Sequence, residues 1–420
     1  MSNSLKIVLV NYRYFISGGP ERYYFNIKEV LENHGHTVIP FSIKGKRNIA
    51  SSYDHYFLSK VDDEIYFSQY KKTPLTLFKS FSRMFYSFEA KRKFKVLLTR
   101  EKPDIVYIMH YHNKMSPSII DAAKDLNIPV IHRISDFQYI CANALFYNET
   151  VGVCEKCLVG SKWNAVRYKC VFNSRLFSFI KISALKFHEM LKITEKIDAF
   201  IVPSAFTISK LMQYGISPHK LNLVPTFFNH NFIDNKREIV YSPFALYVGR
   251  IEKEKGLLTM IKAFQKTNYQ LKIIGFSNDD YDDFLKKFSQ GNENIEFLGR
   301  MKFEEIIPYL SSCLFSIVPS DIYDNFPNAV IESYAFQKSV VASNIGSLKE
   351  LVKDGETGFL FETGNYVDLG TKIEVLFSNP ELCKELGKNA CKYLEENYSE
   401  ESHYQKVLGV FNSLVNQQNG

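Results

Sequence analysis

Apolar runs of strand length, each followed by a stretch with apolar residues every three or four positions, recur along the chain from residue 5 onward. Residues 5–10 form the first run, 21–32 the first amphipathic stretch and 36–43 the second run; 104–108, 129–134 and 199–202 continue the series. Runs without polar alternation belong to parallel strands covered by helices on both faces, and right-handed β-α-β crossovers wind such strands into a layered sheet. Residues 1–225 fit one doubly wound α/β domain, with insertions at about 44–102 and 137–170. The cadence restarts at 244–248 and repeats at 271–275, 295–298, 314–318, 339–342 and 358–361, which predicts a second such domain over 244–398. Residues 226–243, polar and Asn-rich with a proline at each border, read as the linker, and residues 399–420 as a terminal helix.

The length of 420 residues supports more than one core, and 45% hydrophobic with 23% charged residues excludes a disordered chain or a coiled-coil rod. No run approaches the ~18 apolar residues of a spanning helix, and residues 1–20 lack the features of a secretory leader, so the expected location is cytoplasmic. The net charge of +7 conceals an asymmetry: residues 1–230 hold 32 Lys+Arg against 18 Asp+Glu, and residues 231–420 hold 20 against 27. The first half therefore faces something anionic. Between Lys71 and Lys102, ten Lys/Arg are interleaved with Phe78, Phe81, Phe85, Tyr86, Phe88 and Phe94. This pattern fits peripheral contact with an anionic membrane, and equally a surface helix that buries its aromatic face in a core. It matches no nucleic-acid module, so nucleic acid is not an expected partner.

Candidate chemistry sits where strands end. After the first run comes Ser17-Gly18-Gly19-Pro20 and a helix start; paired glycines admit a close ligand, and a helix N-terminus offers unpaired N–H groups to an anion. No acidic residue ends the second run and the Gly-x-Gly-x-x-Gly fingerprint is absent, which disfavours a nicotinamide cofactor. The second domain opens with Gly249-Arg250 and Lys255-Gly256, two cations at a strand's C-terminal edge that suit a diphosphate. Further on stand Asp324-Asn325-Phe326-Pro327-Asn328 and Glu332; Pro327 suits a first helical turn, which puts Asp324 in the loop and Glu332 inside the helix. Gly346-Ser-Leu-Lys-Glu-Leu-Val and Asp354-Gly-Glu-Thr-Gly-Phe follow.

In order and spacing these motifs resemble the nucleotide-sugar-dependent glycosyltransferases of family 4, which have the GT-B fold of two Rossmann-like domains facing a central cleft. The resemblance implies a retaining transfer of a sugar, a hexose or a relative of one, from a nucleoside diphosphate donor to the hydroxyl of a glycan or lipid-linked acceptor, in surface polysaccharide or glycolipid synthesis, with no cofactor needed for catalysis. It assigns Arg250 and Lys255 to the diphosphate, Glu332 to the ribose hydroxyls, and Asp324 with the backbone around Phe326 to the transferred sugar. Gly18, Gly19, Asn325, Pro327, Asn328 and Gly346 complete the donor-binding set, and His132 and Asp136 join Asp324 as candidates nearest the chemistry.

Two departures stand out. The family's first carboxylate is usually Glu followed by Gly, whereas here Asp324 precedes Asn325. A subgroup carries His-Asp-aromatic ending in Cys after a strand of the first domain; here the run is Ser135-Asp136-Phe137 to Cys141, so the histidine is missing, and His132, His110 and His112 are its candidate substitutes. Cys141, Cys154, Cys157 and Cys170, spaced x12, x2 and x12, resemble a structural zinc knuckle; reduced buried thiols are the other reading. The competing functions are a catalytically silent sugar-nucleotide-binding partner, which Ser135 suggests, and a GT-B sugar-nucleotide epimerase.

Overall fold

The computed structural model describes residues 4–61, 73–229, 239–277 and 279–419. Residues 230–238 of the expected linker, and Lys71 and Lys72 of the basic stretch, lie outside the described residues. Two six-stranded sheets organise the chain. The first contains β1 (Lys6–Asn11), β2 (Thr37–Phe41), β3 (Ile105–His110), β4 (Val130–Arg133), β7 (Ala199–Val202) and β8 (Leu221–Leu223) in the order β2-β1-β3-β4-β7-β8. Between β4 and β7 a small antiparallel hairpin, β5 (Tyr147–Asn148) and β6 (Gly152–Val153), stands in the inserted loop. The second sheet holds β9 (Phe244–Val248), β10 (Gln270–Ile274), β11 (Ile295–Gly299), β12 (Phe315–Val318), β13 (Val340–Ser343) and β14 (Gly358–Phe361) in the order β11-β10-β9-β12-β13-β14. Every pairing within these two sheets is parallel.

Strand geometry explains the apolar runs. Along β1, Val8 and Val10 enter the core on one face while Ile7 and Leu9 enter the core on the other, all without solvent exposure. The second sheet is built likewise, with Ala245 and Tyr247 on one side and Leu246 on the other. The architecture is GT-B: two Rossmann-like α/β domains that face each other across a cleft.

The terminal helix, Glu400–Asn419, returns to the first domain, where Tyr404, Val407, Leu408 and Phe411 share a core with Ile7, Leu9 and Ile27. Polar contacts fix its register. His403 donates from Nδ1 to the Pro225 carbonyl (2.7 Å), which leaves Nε2 to accept from the Tyr23 hydroxyl (2.9 Å). Burial pushes His403 down to about 3, in keeping with that neutral tautomer. Among the described residues, no helix is long and apolar enough to cross a membrane.

The domains also touch across the cleft. Helix Ala205–Tyr214 of the first domain is capped by its own Ser204, and the Glu350 carboxylate of the second domain accepts from the amides of Ala205 (2.9 Å) and Phe206. A carboxylate there satisfies two of the four amides that a helix leaves unpaired and meets the positive end of its dipole. Replacing Glu350 with Ala is expected to cost about 1 kcal/mol of this closed contact. Small-angle scattering should report a larger radius of gyration for the variant, with an unchanged circular dichroism spectrum.

Candidate active site

In an open parallel sheet, ligands bind outside the carboxyl ends of the strands where the order of strand addition reverses, because the loops diverge there. In the first sheet that point lies between β1 and β3, and in the second between β9 and β12. The Gly18-Gly19 loop and His110 leave the first; Arg250, Lys255 and Asp324 leave the second.

On the second domain, Gly256 makes the site compact. Its φ is +70°, and a Cβ there would lie 1.8 Å from the Pro319 carbonyl oxygen, so only glycine lets the loops after β9 and β12 meet. The contact brings Lys255 Nζ to 2.5 Å from Asp324 Oδ1, while Ser320 donates to Oδ2 (2.5 Å) and Ser347 to the Asp324 carbonyl (2.5 Å). Gly346 lies against Tyr323 in the same loop cluster. Arg250 is half exposed and pairs with Glu252 at 2.6 Å. Burial outweighs that arginine and, with Glu254 alongside, pushes the Glu252 carboxyl up to about 7.

Helix Asn328–Ala335 begins directly after Pro327. Asn328 faces the first domain: its Nδ2 lies 2.7 Å from where a Cβ on Gly19 would stand. Glu332, one turn inside the helix, is buried and bonds Arg22 Nη2 at 2.6 Å, and the Arg22 guanidinium lies over the Phe303 ring. Asn325 spans the cleft, donating to the Ile134 carbonyl (2.8 Å) and accepting from Thr207 Oγ1 (2.8 Å). Phe326 packs edge-on against Tyr398.

On the first domain the structure separates the histidines. His132 is a core residue: it is 3% exposed, bonds the Tyr139 hydroxyl at 2.8 Å, and is pushed down to about 3 by burial and then by His110. The structure thus buries His132 within β4. His112 is likewise buried and held well below the usual imidazole range by desolvation. His110, at the end of β3, points its Nε2 at Asp136 Oδ2 (2.9 Å), and Gln138 donates to the same carboxylate from its backbone and side chain. Burial disfavours the ionised Asp136, yet the bond from His110 and its charge hold that carboxyl well below the ordinary range. Ser135 is turned to Arg133, whose Nη1 donates to its hydroxyl (3.0 Å). Sequence reasoning missed the Arg22–Glu332 bond and the bridging role of Asn325; the Gly-Gly-Pro-Glu-Arg run already put Arg22 in the first turn of a helix aimed at the cleft.

The four clustered cysteines carry free thiols. Burial and then their mutual proximity push Cys157 up to about 11 and Cys170 to about 12. Cys141 donates to Asn143 Oδ1 (2.9 Å) and Cys157 toward the Lys162 carbonyl (3.7 Å). Among the described residues, no three His, Cys, Asp or Glu side chains converge as a metal site while these thiols are free.

Residues 230–393 match the family model "Glycosyl transferases group 1". An uncharacterized glycosyltransferase of Methanocaldococcus jannaschii is 34% identical over 184 residues, 42% of this chain and 51% of the relative. The capsular polysaccharide biosynthesis glycosyltransferase CapM of Staphylococcus aureus is 27% identical over 183 residues, 41% of this chain and 47% of the relative. The chain thus spans about half the length of these curated relatives. Among solved structures, HepE of Anabaena in complex with UDP-glucose superposes with a TM-score of 0.64 at 15% identity, covering 97% of this chain and 100% of that one, a likeness of fold.

Glu252 gives the site a pH signature. A carboxyl raised from 4.5 to about 7 adds stability that is full below the lower value and is lost as pH rises through the upper one. Glu252→Gln, which keeps the neutral shape, is therefore expected to match the parent near the lower value and to exceed it above neutrality by on the order of 1–3 kcal/mol. Thermal unfolding across that range checks the sign.

Proposed function

We propose that this chain is a glycosyltransferase that moves a sugar from a nucleoside diphosphate sugar to the hydroxyl of a glycan or lipid-linked acceptor, with retention at the anomeric carbon. The observation that carries the reading is the cleft between two switch points, where Glu332 and Asn328 of the second domain meet Arg22 and the Gly19 turn of the first, next to the Lys255–Asp324 pair of the second. The family match over 230–393 supports it, and the name of the Staphylococcus aureus relative favours a polysaccharide product.

Each residue then has a chemical task. Lys255 and Arg250 exchange their carboxylate partners for the diphosphate and stabilise its growing charge as the bond to the anomeric carbon breaks; fixed charges aimed at a developing anion contribute more to such catalysis than any other single effect. The bonding pair leaves with the diphosphate, the acceptor oxygen forms the new bond, and its proton passes to a departing phosphate oxygen. Glu332 accepts from ribose hydroxyls. Asp324, Asn325 and the backbone at Phe326 hold the transferred sugar. His110, oriented by Asp136, fills the place of the histidine that Ser135 lacks and reaches the sugar from the opposite domain.

A panel of nucleotide sugars with polyprenyl-linked and oligosaccharide acceptors tests the proposal: transfer with retained configuration supports it, binding without transfer points to a silent partner, and conversion of the free nucleotide sugar to an epimerase. Lys255→Ala is expected to lower kcat/KM by roughly 100- to 1,000-fold. His110→Ala should lower kcat more than it raises KM, whereas His132→Gln should lower Tm and leave kcat near that of the parent. Steady-state kinetics and thermal melts on the three variants separate these outcomes.

A further inference from the structure

Helix Pro74–Phe85 is built inside out. Its buried residues are Thr76 and Arg83, while Leu75, Phe78 (71% exposed) and Phe81 face water. Arg83 anchors it: the guanidinium donates to the Ser59 carbonyl and stands 3.6 Å from Glu89. An ordinary surface helix turns its apolar stripe to the core, and exposing large apolar side chains forgoes a substantial burial gain at each.

A second helix extends the face. Arg175–Met190 packs on the first through a Phe85–Phe187 ring contact and a bond from His188 Nε2 to the Phe85 carbonyl (2.9 Å). It buries Ser178, Lys181, Ile182 and Leu185, and turns Leu176 (65% exposed), Phe179 and Met190 outward, with Phe179 lying against the half-exposed Trp163. Helix Phe88–Glu101 behaves differently. It buries Phe94, Leu97 and Leu98, and its Lys91 and Lys95 hold Asp125. The basic stretch thus splits into a core-facing helix and an outward-facing one. The two outward-facing helices carry Lys79, Arg83, Arg175, Lys181 and Lys186 against Glu189 alone, with Arg83 and Lys181 buried.

We propose that the outward faces of helices Pro74–Phe85 and Arg175–Met190 form a docking surface for an anionic lipid bilayer. Phe78, Phe81, Leu176 and Phe179 enter the boundary between headgroups and acyl chains, and Lys79, Arg175 and Lys186 meet the lipid phosphates. Charge complementarity selects this occupant: a cationic rim around aliphatic and aromatic side chains fits an anionic interface, and the same rim on a second copy would meet like charge. The surface requires no donor and no turnover, so it goes beyond the transfer reading and is tested apart from it.

The test is flotation of the full chain with vesicles of phosphatidylcholine alone or mixed with phosphatidylglycerol, at low and high salt, alongside light scattering without lipid. Flotation with the anionic vesicles only, weakened by salt, is expected. Phe78→Ser and Leu176→Ser, both at exposed positions, should each reduce it by about tenfold with unchanged circular dichroism. Flotation of the parent and both variants to the same extent overturns the proposal, as does equal binding to neutral vesicles. A dimer that Phe78→Ser dissociates would assign the face to a second copy and overturn it too. Transfer activity without flotation would overturn the docking surface and leave the proposed chemistry standing.

Discussion

The carboxamide of Asn325 joins the two halves of the cleft at its most sensitive point, giving a hydrogen to the Ile134 carbonyl and taking one from Thr207. Its neighbour Asp324 is tied within the second domain by Lys255 and Ser320. Two adjacent residues therefore serve two domains, and the loop that carries the first carboxylate cannot move without altering the domain angle. A glycine in place of Asn325 would leave that loop free of the opposite domain. The Asp324-Asn325 pair thus joins a short carboxylate arm to a side chain that contacts the opposite domain.

The cleft is lined with opposite charges already joined: Lys255 to Asp324, Arg22 to Glu332, Arg250 to Glu252. Partly buried ion pairs return little net stability because desolvation offsets attraction. They do hold cations in place at low cost in mobility, ready to change partners. In the proposed transfer, a diphosphate that takes the cations would leave each carboxylate in need of a donor, and the hydroxyls of a sugar would supply one.

Much of this was legible in the sequence because buried parallel strands announce themselves as unbroken apolar runs; the main strands of both sheets fall within a residue or two of those runs. The three-residue edge strand β8 and the β5–β6 hairpin were not, since short, half-exposed strands carry no comparable signal. The lesson of the histidines is sharper. His132 lies within a four-residue strand buried along its length, whereas His110 is the last residue of its strand and alone in it only partly buried. Identity and spacing did not separate them. Position relative to the strand end, the place where an α/β sheet presents chemistry, did. Helix Pro74–Phe85 shows the same limit: a stripe of apolar residues reveals amphipathicity, but which way the stripe faces is decided by where Arg83 finds its partners.

The return of helix Glu400–Asn419 to the first domain has a consequence for biosynthesis. One side of the first core is finished by Tyr404, Val407 and Phe411, so while the ribosome is still making the second domain, Ile7, Leu9 and Ile27 lack that cover. The domain translated first is completed only after the second has been made, and the nascent chain carries an apolar seam until residues 400–419 emerge from the exit tunnel.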